Sequence, residues 1–305
     1  MSRSEVICIV GTHRSGTSLV ARLLHLCGLN LGPAEQLLGP DAANPLGHFE
    51  HRGFLAIDRD LLKHFGATWY DPPELEPGWQ HDPKLAELLG AAKALAGTFP
   101  PSATWGWKEP RASLFLPFWK IAIPNMRFVI CIRNPLEVAR SLEVRNRIPI
   151  QTGASLWCRY TRAALEDTEG SPRLITFFED FFDGGSGEID RVVRFCGLHE
   201  PGNGSEIQSA VSAGLRHHTS EIRSLLEEPS VRPEAKLIYL GLRALLSARN
   251  GIGAEEESRD VGAFVRLFKE LHGSEAAPGP ELRRPAPARG LREKLKKLLS
   301  ALGGS

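Results

Sequence analysis

Residues 5–24 read EVICIVGTHRSGTSLVARLL, and the fold class turns on them. Glu5–Val10 is short and almost wholly apolar, the pattern of a parallel strand buried on both faces. A glycine-bearing turn, Gly11–Gly16, follows. The spacing then predicts an amphipathic helix from about Ser15 to Cys27, with Leu19, Val20, Leu23, Leu24 and Cys27 on its buried side. Gly28 stands where a helix-ending glycine belongs.

Two more apolar runs read as strands: Phe128–Ile132 (FVICI), flanked by Arg127 and Arg133, and Leu174–Phe178 (LITFF). Trp105–Arg111 (WGWKEPR) reads as a strand end or a loop. Helical patterns fall at about 52–65, 83–97, 136–146, 151–168, 189–195, 221–227, 233–249 and 255–271. The one beginning near Leu136 follows Asn134-Pro135, an N-cap with proline at the first helical position. Strands alternating with helices predict an α/β fold with a parallel sheet flanked by helices, and a mostly helical C-terminal part. Residues 30–50 and 69–83 are long, Pro- and Gly-bearing loops, the kind more often functional than idle.

Residues 1–272 are expected to form the α/β domain, 273–290 a flexible Pro/Ala/Gly/Arg linker, and 291–305 an amphipathic tail. In the tail, LREKLKKLLSAL puts Leu291, Leu295, Leu298, Leu299 and Leu302 on one face, a surface for docking on the protein, on a partner or weakly on a membrane. The formal net charge of +1 in 305 residues gives no global field toward nucleic acid, so an anionic ligand must be caught locally. Five widely spaced cysteines with no CxxC pair argue for reduced thiols and no zinc. The N-terminus runs straight into a strand, and no apolar run approaches the ~20 residues of a membrane span. A cytoplasmic protein is expected, with at most peripheral contact at the inner face of the membrane.

The loop Gly11-Thr12-His13-Arg14-Ser15-Gly16-Thr17-Ser18 joins a buried strand to a helix. Helix N-terminal N–H groups and the helix dipole favour an anion there. Arg14, Ser15, Thr17 and Ser18 add donors, and each charge-assisted hydrogen bond contributes about 1.5–3 kcal/mol. Gly11 and Gly16 have the spacing of the P-loop GxxxxGK[ST], but position 17 is Thr where a triphosphate transferase needs Lys. The cation has moved into the loop as Arg14. The loop fits a smaller anion bound without metal.

VGTHRSGTSLVARLL (Val10–Leu24) resembles the 5′-phosphosulfate loop of sulfotransferases that use 3′-phosphoadenosine-5′-phosphosulfate (PAPS), especially bacterial enzymes and those acting on protein tyrosines. Phe128–Pro135 (FVICIRNP) followed by Ser141 is similar to the second motif of that family. The resemblance implies that Arg133 and Ser141 grip the 3′-phosphate and that Arg14, Ser15, Gly16, Thr17 and Ser18 hold the 5′ end. Trp107-Lys108-Glu109-Pro110 resembles the Lys-Asp-Pro segment of the tyrosine-directed enzymes, which implies that Lys108 stabilises the transferring sulfuryl group. Glu109 stands where Asp is usual. The resemblance covers about residues 5–50 and 104–200.

Sulfuryl transfer needs a base for the acceptor proton. Glu35, His48, Glu50 and His51 are available between the motifs, with Glu35 and Glu50 ahead of His48. Glu50 has a second reading, as a cap on the helix that follows. The implied acceptor is a hydroxyl or amine, on a cell-surface glycan, glycolipid or other small molecule. Two rival readings are a P-loop kinase or nucleotide phosphotransferase, and a non-catalytic nucleotide-binding module on the same fold.

Overall fold

The computed structural model describes residues 5–41, 44, 47–101, 103–182, 187–199, 210–211, 221–247 and 254–272. The expected linker and tail, 273–305, lie outside these residues. Two compact units emerge: residues 1–133 with 159–218, and residues 134–158 with 219–305.

The first unit holds a four-stranded sheet of β1 (Val6–Val10), β2 (Trp105–Lys108), β3 (Met126–Ile132) and β4 (Arg173–Phe177), in the order β2-β1-β3-β4. Every pairing is parallel, with Ile9 opposite both Lys108 and Val129, and Cys131 opposite Thr176. The three apolar runs read as strands are strands, and the WGWK stretch is a fourth. A parallel sheet must be covered on both faces, and β1, β2 and β4 are buried along their whole length. Helices α1 (Thr17–Leu26), α2 (Arg52–His64), α3 (Ala86–Ala96), α4 (Leu116–Ala122) and, beyond β4, α7 (Gly187–Phe195) belong to this unit. Gly28 ends α1 with a φ of 94°.

β2 is anchored by rings. Phe54 of α2 stacks on Trp107 (4.5 Å between centroids, 6° between planes), Phe99 stacks on Trp105 at 4.2 Å, and Trp119 of α4 closes on Trp107 at 5.3 Å. Side chains alternate along a strand, so Trp105 and Trp107 share one face. That alternation leaves Lys108 out of the aromatic layer, at the C-terminal end of the strand.

The second unit is helical among the described residues. It contains α5 (Pro135–Asn146), the start of α6 (Ile150–Asp167), α8 (Ile222–Glu227), α9 (Pro233–Ser247) and α10 (Ala254–His272). Asn134 caps α5 by accepting from the Leu136 N–H at 3.0 Å, and Pro135 takes the first helical position as the sequence predicts. Gly241 lets α9 approach the Phe264 ring of α10, and Trp157 meets Tyr239 edge to face at 6.5 Å. No described helix is long and apolar enough to cross a membrane. All five cysteines are buried and none is in a disulfide.

Strand order fixes where a ligand belongs. The chain leaves β1 toward β2 on one side, and β3 connects onward to β4 on the other. The crevice outside the carboxyl ends of β1 and β3 is therefore the switch point at which open α/β sheets bind ligands. β1 and β2 also approach closely, and a Cβ on Gly106 would collide with the Ile7 carbonyl. Gly106→Ala is expected to destabilise the protein by about 1–3 kcal/mol through this forced shift, read as a lower midpoint in urea unfolding.

Candidate active site

The phosphate loop leaves β1 through Gly11, whose φ is 145° and whose missing Cβ would strike the Cys131 carbonyl of β3. Gly11 N donates to Ser113 Oγ at 3.0 Å, which ties the loop to the turn after β2. Arg14 has a φ of 72° and Gly16 a φ of 88°. A left-handed arginine is strained, and such strain persists where surrounding structure enforces it. The Ser15 N–H donates to the Thr12 carbonyl at 3.1 Å, closing a turn just before the helix. Helix α1 then opens at Gly16 with no side-chain cap. Ser15 is 1% exposed, and its buried Oγ has no hydrogen-bond partner among the described residues. A buried hydroxyl of that kind costs about 1–3 kcal/mol unless a ligand meets it. Thr17 is buried and Ser18 half-buried at the start of the helix.

Arg133 follows β3 directly and is buried. Its Nη1 donates to the Arg14 carbonyl at 3.4 Å, and its guanidinium lies 4.3 Å from the Phe178 ring centre. The same ring occupies the space a Cβ on Gly16 would need. Phe178 thus walls both the phosphate loop and Arg133. The sequence reading ended the third strand on Phe178 and gave it no role. The signal was an aromatic at the C-terminal edge of β4, beside two other loaded strand ends. Ser141 is buried on α5, in the second unit.

At the end of β2, Lys108 is 1% exposed and its Nζ donates to Glu50 Oε1 at 2.6 Å. Glu50 reaches it because the preceding loop is stitched back: Leu38 N donates to the Glu50 carbonyl at 2.8 Å. The cap of α2 is not Glu50 but His51, whose Nδ1 accepts from Gly53 N at 3.1 Å. Burial holds the His51 pKa below its ordinary value, so the ring stays neutral as an acceptor. Burial raises the Glu50 carboxyl, but Lys108, with Arg111 and His48 behind it, outweighs burial and holds it below the usual carboxylate range. His48 pairs with Asp41 at 2.9 Å. Glu35 is exposed on a short turn (Ala34–Gln36) and makes no ion pair among the described residues.

Two more carboxyls stand behind this pair. Glu109 Oε1 accepts from Arg111 Nη1 at 2.6 Å and from Arg111 N at 3.0 Å. Glu109, which stands where the resemblance expects Asp, is therefore engaged with Arg111. Asp58 of α2 is fully buried and accepts from Trp119 Nε1 at 2.9 Å. Burial, reinforced by the Glu109 charge, raises the Asp58 carboxyl well above its ordinary value. Burial and the Glu50 charge raise Glu109 as well. Two cations and three carboxyls thus form one buried cluster, neutral when Asp58 keeps its proton.

On the other side of the loop, the His13 ring lies 4.6 Å from Trp69 and 5.8 Å from Tyr160. Tyr160 Oη donates to the Trp69 carbonyl at 2.7 Å, and Arg159 bonds Glu74 and the Pro73 carbonyl. The loop after α2 is thereby pinned against the phosphate loop, with Tyr70 about half exposed on it. No group of three or more His, Cys, Asp and Glu is placed to hold a metal ion among the described residues.

The carboxyl edge of the parallel sheet thus carries a glycine loop that opens an uncapped helix, the Arg133 guanidinium and the Lys108–Glu50 pair. Residues 6–201 match the model of the sulfotransferase family, and the chain belongs to that family. Among solved structures it is similar to the sulfotransferase domain of the Synechococcus PCC 7002 olefin synthase, at 14% identity over 86% of this chain and 95% of that one, with a TM-score of 0.43. It is also similar to sulfotransferase STF9 from Mycobacterium avium (12% identity, 72% and 70% covered, TM-score 0.40). A third is sulfotransferase STF1 from Mycobacterium tuberculosis H37Rv (18% identity, 74% and 76% covered, TM-score 0.38). No curated protein matches the sequence.

Asp58 gives a pH test of the cluster. Its folded pKa lies above the unfolded one, so the folded state binds the extra proton and stability falls as pH rises through that window. Asp58→Asn removes the titration while keeping the Trp119 acceptor. At about pH 8 its Tm should exceed the wild type by about 2–4 °C, the scale of 1 kcal/mol in a domain of this size. The difference should close toward pH ~4, the unfolded carboxyl range. A pH-independent difference between the two proteins would rule out a protonated Asp58.

Proposed function

We propose that this sulfotransferase takes PAPS as its donor and transfers the sulfuryl group to a hydroxyl or amine, on a cell-surface glycan, glycolipid or other small acceptor. The observation that carries the donor assignment is the bond from Arg133 to the Arg14 carbonyl. It brings the Arg133 guanidinium to the backbone of the phosphate loop, which supports one shared crevice for both motifs. The residues present fit the donor: Ser15 supplies an unsatisfied buried hydroxyl, and α1 an uncapped N-terminus. In this reading Arg14, Ser15, Gly16, Thr17 and Ser18 hold the 5′ end, while Arg133 meets the 3′-phosphate.

The donor supplies a sulfur bonded to a good leaving group. The chain's residues supply position, charge and a proton acceptor. Lys108 offsets negative charge on the sulfuryl oxygens, and Arg14 offsets it on the leaving oxygen. Glu50 takes the acceptor's proton as the new bond to sulfur forms and the bridging S–O bond breaks. The electron pair of that bond leaves with adenosine 3′,5′-bisphosphate. Glu50 is preferred to Glu35 because it is buried beside Lys108, whereas Glu35 is exposed. His48 is engaged with Asp41. Trp69 and Tyr70, held beside the phosphate loop, offer aromatic faces of the kind on which sugar rings pack, which supports a glycan acceptor. The cytoplasmic location, with any membrane contact peripheral and through the tail, belongs to the same reading.

Arg14→Ala and Arg133→Ala are each expected to weaken binding of adenosine 3′,5′-bisphosphate by about 2–4 kcal/mol. Calorimetry on the wild type and both variants checks this, and unchanged affinity in both would exclude the site. Transfer of radiolabelled sulfate from PAPS to a panel of bacterial glycans and glycolipids tests the acceptor class. Label appearing only on non-carbohydrate acceptors would overturn it.

A further inference from the structure

We infer that Glu50 is a built-in competitor for the sulfuryl group: it occupies Lys108, and a donor must displace it before the site is ready. The inference rests on the reading of Lys108 as the sulfuryl cation. Lys108 is 1% exposed, and its Nζ is held 2.6 Å from Glu50 Oε1. A buried ammonium of this kind keeps its charge by keeping a partner. An incoming sulfuryl oxygen therefore takes a place that a carboxylate oxygen holds.

The surroundings make the exchange reversible rather than ruinous. The groups facing Glu50 are Lys108 on β2, Arg111 on the turn after it, His48 on the preceding loop, and Glu109 and Asp58 behind. When an anion draws Lys108 away, the Arg111 guanidinium remains nearby to offset the Glu50 charge. Loss of the Lys108 charge at close range also makes the carboxylate a stronger base, since that cation is what disfavours its protonation. One displacement thus seats the sulfuryl group and arms the proton acceptor. Adenosine 3′,5′-bisphosphate has no sulfuryl group, so it leaves the Glu50–Lys108 pair closed. The residue then separates donor from product: it taxes donor binding and leaves product binding untouched.

The test is calorimetry of PAPS and of adenosine 3′,5′-bisphosphate with the wild type, Glu50→Gln and Glu50→Asp, each checked for folding by circular dichroism. Glu50→Gln should bind PAPS about tenfold more tightly and the bisphosphate with unchanged affinity. Glu50→Asp keeps the charge but shortens the reach, so it should fall between, and it carries the test alone if the Gln variant does not fold. Weaker PAPS binding in the variants would overturn the inference, because Glu50 would then be supporting the donor. Equal tightening toward both nucleotides would overturn it too, since that is the general effect of removing a negative charge. Turnover separates the two readings. Tighter PAPS binding with turnover retained keeps the competition and removes Glu50 as the base. Lost turnover with unaltered affinity keeps the base and ends the competition.

Discussion

Everything at the carboxyl edge of the sheet depends on how closely β1 and β3 approach each other at Gly11. A side chain there would strike the Cys131 carbonyl. With hydrogen in place of Cβ, the chain turns out of β1 at a φ of 145° while still in contact with β3. That closeness lets the loop from one strand and the arginine after the other meet, with Arg133 donating to the Arg14 backbone. Phe178, the residue just after β4, then fills the space beside both, its ring under the guanidinium and against Gly16. Three strand ends converge because the register staggers them together: Val10 lies opposite Ile130, and Ile132 opposite Phe177.

The fourth strand contributes charge, and charge in a buried place has to be balanced. Moving an ammonium out of water costs several kcal/mol even after relaxation. Lys108 is tolerated at 1% exposure because Glu50 meets it and Arg111 meets Glu109 in turn. For the leftover carboxyl, Asp58, burial and the Glu109 charge both favour the protonated form. Such a network adds little to stability compared with an apolar core of equal volume. Its value is a fixed set of charges in a low-dielectric site, where each interaction is stronger than in water. The aromatic layer of Phe54, Trp105, Trp107 and Trp119 supplies that dryness and holds α2 against β2.

Much of this frame was legible in the sequence. Runs such as VICIV and FVICI have one physical reading, a strand buried on both faces, and glycines at positions 11, 16 and 28 mark the turn and the helix end. Asn134-Pro135 named the start of α5 correctly because capping is local chemistry. Reasoning weakened where local signal was mixed. WGWK is short, contains a glycine and sits among loop-formers, so its strand character comes from pairing with β1 and from rings on α2 and α4. Helix α4 was not predicted: it spans seven residues, includes Pro117, and is held by Trp119 packing rather than by periodicity.

The site divides along the same line. The places of Arg14 and Arg133, in the turn after β1 and directly after β3, could be read from sequence because each sits in a motif whose geometry is local. The partner of Lys108 could not, since Glu50 is 58 positions away and reaches it through a loop that returns on itself by the Leu38–Glu50 bond. Sequence offered Glu50 as either a base or a cap. The decision was made by its neighbour: His51 takes the cap with a ring nitrogen, which frees the carboxylate to face inward. A one-residue difference in which side chain closes a helix thus determines whether the site holds a carboxylate at all. That is why a long-range ion pair is harder to read from a chain than a glycine turn between a strand and a helix.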